Sequence, residues 1–219
     1  SIAQEQFHQA HEAIDRLSGI SEDLQYFPRL QTVRTNLLKM VADYYELHTE
    51  AEHGGSLDRE LAQSLLKLGE VHALLQDHEK AIKTFGKASS VAGQADETRS
   101  DAEYQRVILD AALKIAASEL ARGNIDEAEA ARKSGWEQVK ILEPLAKESD
   151  LFEARAAVQS QTGRILERRG EFLLAAGAQR QAAQFFKASG TETAQENAAM
   201  SLILAGQACD QAGQPKEAI

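Results

Sequence analysis

Arg164 and Arg168 stand one helical turn apart in GRILERRGEF, and two guanidinium groups at that spacing can jointly hold a carboxylate or a phosphate. They belong to a locally basic run, 164–180, in which Arg164, Arg168, Arg169 and Arg180 outnumber Glu167 and Glu171 for a net of +2. An acidic run precedes it in the chain. Between residues 43 and 60, Asp43, Glu46, Glu50, Glu52, Asp58 and Glu60 face only Arg59, a net of −5. Runs of either sign also arise as ordinary solvated helix faces.

Six histidines invite a search for metal spacing. His8 and His11, with Glu5 and Glu12 nearby, have the i, i+3 offset, but no further ligand closes the set and no HExxH pattern supports it. His48 and His53 straddle an expected helix end, and His72 falls at an inward position of its helix. Cys209 occupies the equivalent slot further on and reads as a buried structural thiol. Tyr44 and Tyr45 are adjacent on a helix, so one is expected in the core and the other at its rim. No nucleophile and base constellation stands out. The expectation is no catalytic residue, no metal and no cofactor.

The elements that must carry these residues are helices. The 219 residues are 43% hydrophobic and 26% charged with only three prolines, and Ala, Glu, Gln, Leu and Arg dominate, the usage of long helices. A net charge of −10 argues against nucleic acid as a partner. One cysteine gives no disulfide framework, which fits a reducing, cytoplasmic compartment. No apolar run reaches the roughly 20 residues a membrane helix needs, so no membrane insertion is expected. Ser1 and the terminal GQPKEAI read as ends of a segment cut from a longer protein.

Four stretches repeat one pattern: GEVHALLQDHEKA, AASELARGNIDEA, GRILERRGEFLLA and GQACDQAGQPKEA. Each opens on a small residue (Gly69, Ala116, Gly163, Gly206), with a turn position seven later (Gln76, Gly123, Gly170, Gly213) and an alanine five beyond (Ala81, Ala128, Ala175, Ala218). The small residue is expected to let two helix backbones approach. The turn glycine supplies the left-handed conformation that ends a helix. Asp77 and Asn124 then suit caps, and Pro215 a first helical position. Helices are expected near 2–17 and 29–52, with pairs near 57–92, 98–147, 150–188 and 192–219, after a break at Gly54 and Gly55.

The landmarks resemble the tetratricopeptide repeat, whose helix pair carries Leu-Gly, then Ala, Phe and Ala; Leu65, Leu68, Gly69, Ala81, Phe85 and Ala88 match it. The resemblance implies an all-α, right-handed solenoid of antiparallel helix pairs, with units near 56–95, 96–148, 149–190 and 191–219 after a leader at 1–55. The spacings exceed the usual repeat of about 34, so helices or loops must be longer. In such stacks the first helix of each pair lines a concave surface. The positions facing it here are Leu66, Glu70 and Leu74, then Leu113, Ala117 and Ala121, then Ser160, Arg164 and Arg168, and in the last unit Met200, Ile203 and Gln207. The partner expected there is a protein or peptide segment, acidic or phosphorylated. The Lys and Asn set with which some tetratricopeptide proteins clamp a terminal carboxylate is not reproduced.

A second resemblance covers most of the chain. Pro28, Arg34, Leu37, Leu38, Tyr44 and Tyr45, followed by Trp136, Val139, Leu142 and Pro144, look like the region after the catalytic domain in large serine/threonine protein kinases of planctomycete-type bacteria. The kinase motifs themselves are absent from this chain. The resemblance implies a non-catalytic recruiting or sensing arm. The alternatives are a self-association module and a small-ligand sensor.

Overall fold

Alanine, leucine and long polar side chains propagate helix at little entropic cost, and here they do so in runs of 17 to 21 residues. The computed structural model describes residues 27–50, 58–95 and 100–213. The expected leader helix, His8, His11, His53, the Gly54–Gly55 break and Pro215 lie outside these residues, as does the side chain of His48. A short 3-10 turn, Pro28–Leu30, leads into α1 (Gln31–Glu50). Then come α2 (Asp58–Leu74) with α3 (His78–Ala95), α4 (Ala102–Arg122) with α5 (Ile125–Leu142), α6 (Glu148–Arg168) with α7 (Phe172–Ser189), and α8 (Glu192–Gln211). The described residues hold these eight α-helices and no strand, an all-α solenoid of antiparallel pairs.

The turns are built as their residues dictate. Gly123, Gly170 and Gly213 take φ of 87°, 77° and 72°, and Gln76, at the equivalent place, takes 65° despite its side chain. Asp77 caps α3 by accepting from the Lys80 amide at 3.2 Å, and Asp101 and Thr191 cap α4 and α8 in the same way. Asn124 departs from its expected role. It precedes α5 without capping it, because its Nδ2 donates instead to the mostly buried Glu119 carboxylate at 2.6 Å. A charge-assisted bond there outweighs a neutral cap at a solvated helix end.

The small landmark residues also work differently from expectation. At Gly69 and Gly163 the vacant side-chain space is filled by a side chain of the paired helix, not by its backbone. The Phe85 ring lies against Gly69, and Gln179 puts its Nε2 2.6 Å from where a Gly163 Cβ would stand. Both fillers sit sixteen residues after their glycine. Ala116 and Arg132 repeat the interval in the second unit.

The core is a chain of small clusters, each closing a seam between neighbours, as expected of stacked repeats. Ala81 and Phe85 of α3 meet Ala111 of α4. Leu120 and Ala128 meet Ile165 of α6, while Ala175 and Ala176 of α7 meet Ala205, Ala208 and Cys209 of α8. The seam between α5 and α6 is the thinnest within the repeat array and is crossed by the Arg155–Glu143 ion pair. Helix α1 packs Leu38, Val41, Ala42 and Tyr45 on Leu68 and Val71 of α2. Tyr45 is fully buried and Tyr44 is half-buried beside it, ring edge to face at 5.5 Å.

Candidate functional site

Successive first helices touch one another, α2 with α4, α4 with α6 and α6 with α8, whereas α3, α5 and α7 make no comparable contact among themselves. The stack therefore closes up on the side of the first helices and opens on the side of the second. That inner side carries the positions singled out by sequence.

Glu70 and Ala117 are half-buried there, and Arg164, Arg168 and Gln207 are exposed. Ser160 is half-buried, and its carbonyl accepts from Gln179 Nε2 at 3.0 Å, so it is tied to the α6–α7 pairing. The three leucines are more occupied than a free apolar wall would be. Leu66 packs into the Ala62, Leu65 and Ala88 cluster, Leu113 against Leu109 and Val139, and Leu74 against the α1 seam. Ala121 is exposed near the end of α4. Met200 and Ile203 are exposed on α8, at 56% and 55%.

A charged network crosses the inner side that the sequence reading did not assemble. Lys114 Nζ of α4 reaches Glu70 of α2 at 2.6 Å, and Glu70 also stands 4.0 Å from Lys67. One turn before Lys114, Asp110 accepts from Arg106 Nε at 3.2 Å, and Arg106 Nη1 reaches the Asp150 carbonyl at the start of α6. Burial pushes the Asp110 carboxyl above its ordinary range, with Arg106 and Lys114 pulling the other way. The signal was legible after the fact: Arg106, Asp110 and Lys114 alternate in sign at successive i, i+4 steps. Arg164 and Arg168 stand one turn apart on α6, and neither makes an ion pair or hydrogen bond among the described residues. The inner side thus runs from an internally neutralised stretch on α2 and α4 to uncompensated positive charge on α6.

Of the other singled-out residues, His72 is buried, with Nε2 3.6 Å from a Glu46 oxygen of α1. Burial holds its imidazole below the usual value, which Glu46 only partly offsets. A groove of about 540 Å³ beside it is floored by Leu61, Leu65 and Leu68 and edged by Lys80, Lys83 and Lys87. Cys209 is fully buried, with an Arg180 Nη2 3.4 Å from its sulfur. Among the described residues no group of three or more His, Cys, Asp and Glu is placed to share a metal ion, and no helix is long and apolar enough to cross a membrane.

No family model matches the chain, and no curated protein matches it in sequence. Among solved structures it is similar to the crystal structure of Podospora anserina putative kinesin light chain nearly identical TPR-like repeats. The likeness spans 94% of this chain and 90% of that one, with a TM-score of 0.54 at 16% identity. It shows the fold: a tetratricopeptide-like helical repeat array.

Proposed function

We propose that this chain is a protein-interaction scaffold whose inner side docks a helix or extended segment carrying an acidic or phosphorylated residue. Repeat arrays bury their faces only against neighbours and leave a long curved surface whose usual use is binding. The observation that carries the reading is the pair Arg164 and Arg168, exposed and uncompensated one turn apart on a first helix. Every other cation on that side named above, Arg106, Lys114 and Lys67, already faces a carboxylate. A docked carboxylate or phosphate supplies what the arginines lack, and Leu66, Leu74, Leu113, Met200 and Ile203 offer partial apolar anchors beside it.

The resemblance to the arm of planctomycete-type serine/threonine kinases supplies the setting for this reading. In it, the chain recruits substrates or regulators to a catalytic domain carried elsewhere in a longer, cytoplasmic protein. Affinity capture from lysate of the source cells, native chain against the Arg164→Glu, Arg168→Glu variant, tests the proposal. A specific protein enriched by the native chain and lost from the variant is the expected result; equal capture by both removes the arginines from the account. Self-association is a second reading, favoured by the uncovered apolar face of α8.

A further inference from the structure

The repeat pattern states what should cover each first helix, and α8 lacks it. In the first unit Ala62 and Leu65, seven and four residues before Gly69, are 0% and 5% exposed beneath Ala88 and Ala92 of α3. In the second, Leu109 and Leu113 lie under Val139 and Leu142 of α5, and in the third Ala156 lies under Ala182 and Phe186 of α7. The counterparts on α8 are Ala199, Leu202 and Ile203. Ala199 is exposed, and Leu202 and Ile203 are 42% and 55% exposed. Ile203, read from sequence as a groove residue, thus belongs as much to this uncovered end face.

The three second helices also define the occupant. Each presents four residues at one spacing: Ala81, Phe85, Ala88, Ala92; Ala128, Arg132, Gly135, Val139; and Ala175, Gln179, Ala182, Phe186. The first and third are small, the second reaches over the landmark residue, and the fourth closes on the position seven before it. The same spacing with the same chemistry occurs once more, in the leader, as Ala3, Phe7, Ala10 and Ile14. Phe7 is the counterpart of Phe85, and Gly206 would receive it as Gly69 receives Phe85.

We propose that the end face of α8 formed by Ala199, Leu202, Ile203 and Gly206 is the seat for residues 3–14 of a second copy of this chain, which supply the missing second helix. A face-to-face pairing of two α8 helices is the poorer alternative, because antiparallel crossing would set Asp210 of one copy toward Glu196 of the other. Donor and acceptor are different surfaces of the chain, so the contact is head-to-tail and does not close on itself. Mass should then climb past the dimer as concentration rises.

Light scattering over a wide concentration range tests this, using the full chain with Phe7→Asp and Ile203→Asp. The expected result is concentration-dependent growth for the native chain and a monomer for each variant, with association weakened by about tenfold or more. Mixing the two variants should restore a single 1:1 complex, since one keeps its leader and the other its face. A peptide of residues 1–18 in excess should return the native chain to monomer. Unchanged helical circular dichroism confirms that Ile203→Asp, at an exposed site, leaves the fold intact. A native chain that stays monomeric throughout, association that survives Phe7→Asp, or a mixture that stays monomeric would each overturn the proposal.

Discussion

The ring of Phe85 occupies the space in which a Cβ on Gly69 would stand, and Gln179 does the same at Gly163. The two pairs share an interval of sixteen residues but differ in what can give way. Phe85 is fully buried among Ala81 and Ala111 and has nowhere to move, whereas Gln179 meets Gly163 with a flexible amide end. Gly69→Ala should therefore destabilise the chain by about 2 kcal/mol, as overpacked cores do, and Gly163→Ala by less. Urea unfolding of the two variants decides it; equal costs would contradict the packing described.

Gln76 holds a left-handed backbone that three of its counterparts meet with glycine. An L side chain there costs about 1 kcal/mol. Gln76→Gly is expected to raise the unfolding midpoint, and Gly123→Ala to lower it by a comparable amount. Opposite signs at equivalent turns are the discriminating outcome in thermal melts.

His72 gives the seam between α1 and α2 a pH dependence. Burial depresses its pKa in the folded chain below 6.5, against the attraction of Glu46 and Asp77 and with the help of Lys80. The unfolded chain thus takes up the proton first, and stability is lost as pH falls from about 6.5 toward the lower native value, with no effect above it. His72→Phe, an aromatic at a buried slot, should flatten that part of the stability profile measured by denaturant titration. A native profile that already rises on acidification through this window would contradict the assignment.

The sequence made the periodic features of the fold readable because they act within one helix or one turn. Gly123, Gly170 and Gly213 are left-handed, Asp77 caps its helix, and the landmark Ala81, Ala128 and Ala175 are buried. What it did not make readable depends on the facing helix. Nothing in the spacing of Gly69 says whether a backbone or a ring will fill its space, and Asn124 found a carboxylate five residues back in place of a cap. The inner side was visible only in part for the same reason. Arg164 and Arg168 were found from their own spacing, but the Glu70–Lys114 pair joins residues 44 apart and needed the stacking of α2 on α4. Leu66 and Leu113 were placed on the wall correctly by periodicity, yet much of each is taken up by packing between helices.

The central claim is that the arginine pair on the inner side, and not the charge of the chain at large, selects an acidic partner. Fluorescence anisotropy with a phosphorylated acidic peptide from a captured partner tests it most directly, comparing Arg164→Glu, Arg168→Glu with Lys133→Glu, Lys140→Glu. The second variant makes the same change in net charge on exposed residues of α5, away from the inner side. The account predicts a loss of about tenfold or more in affinity for the arginine variant alone, the size expected when charge-assisted bonds are removed. Equal losses in the two variants, or none in the first, would contradict it.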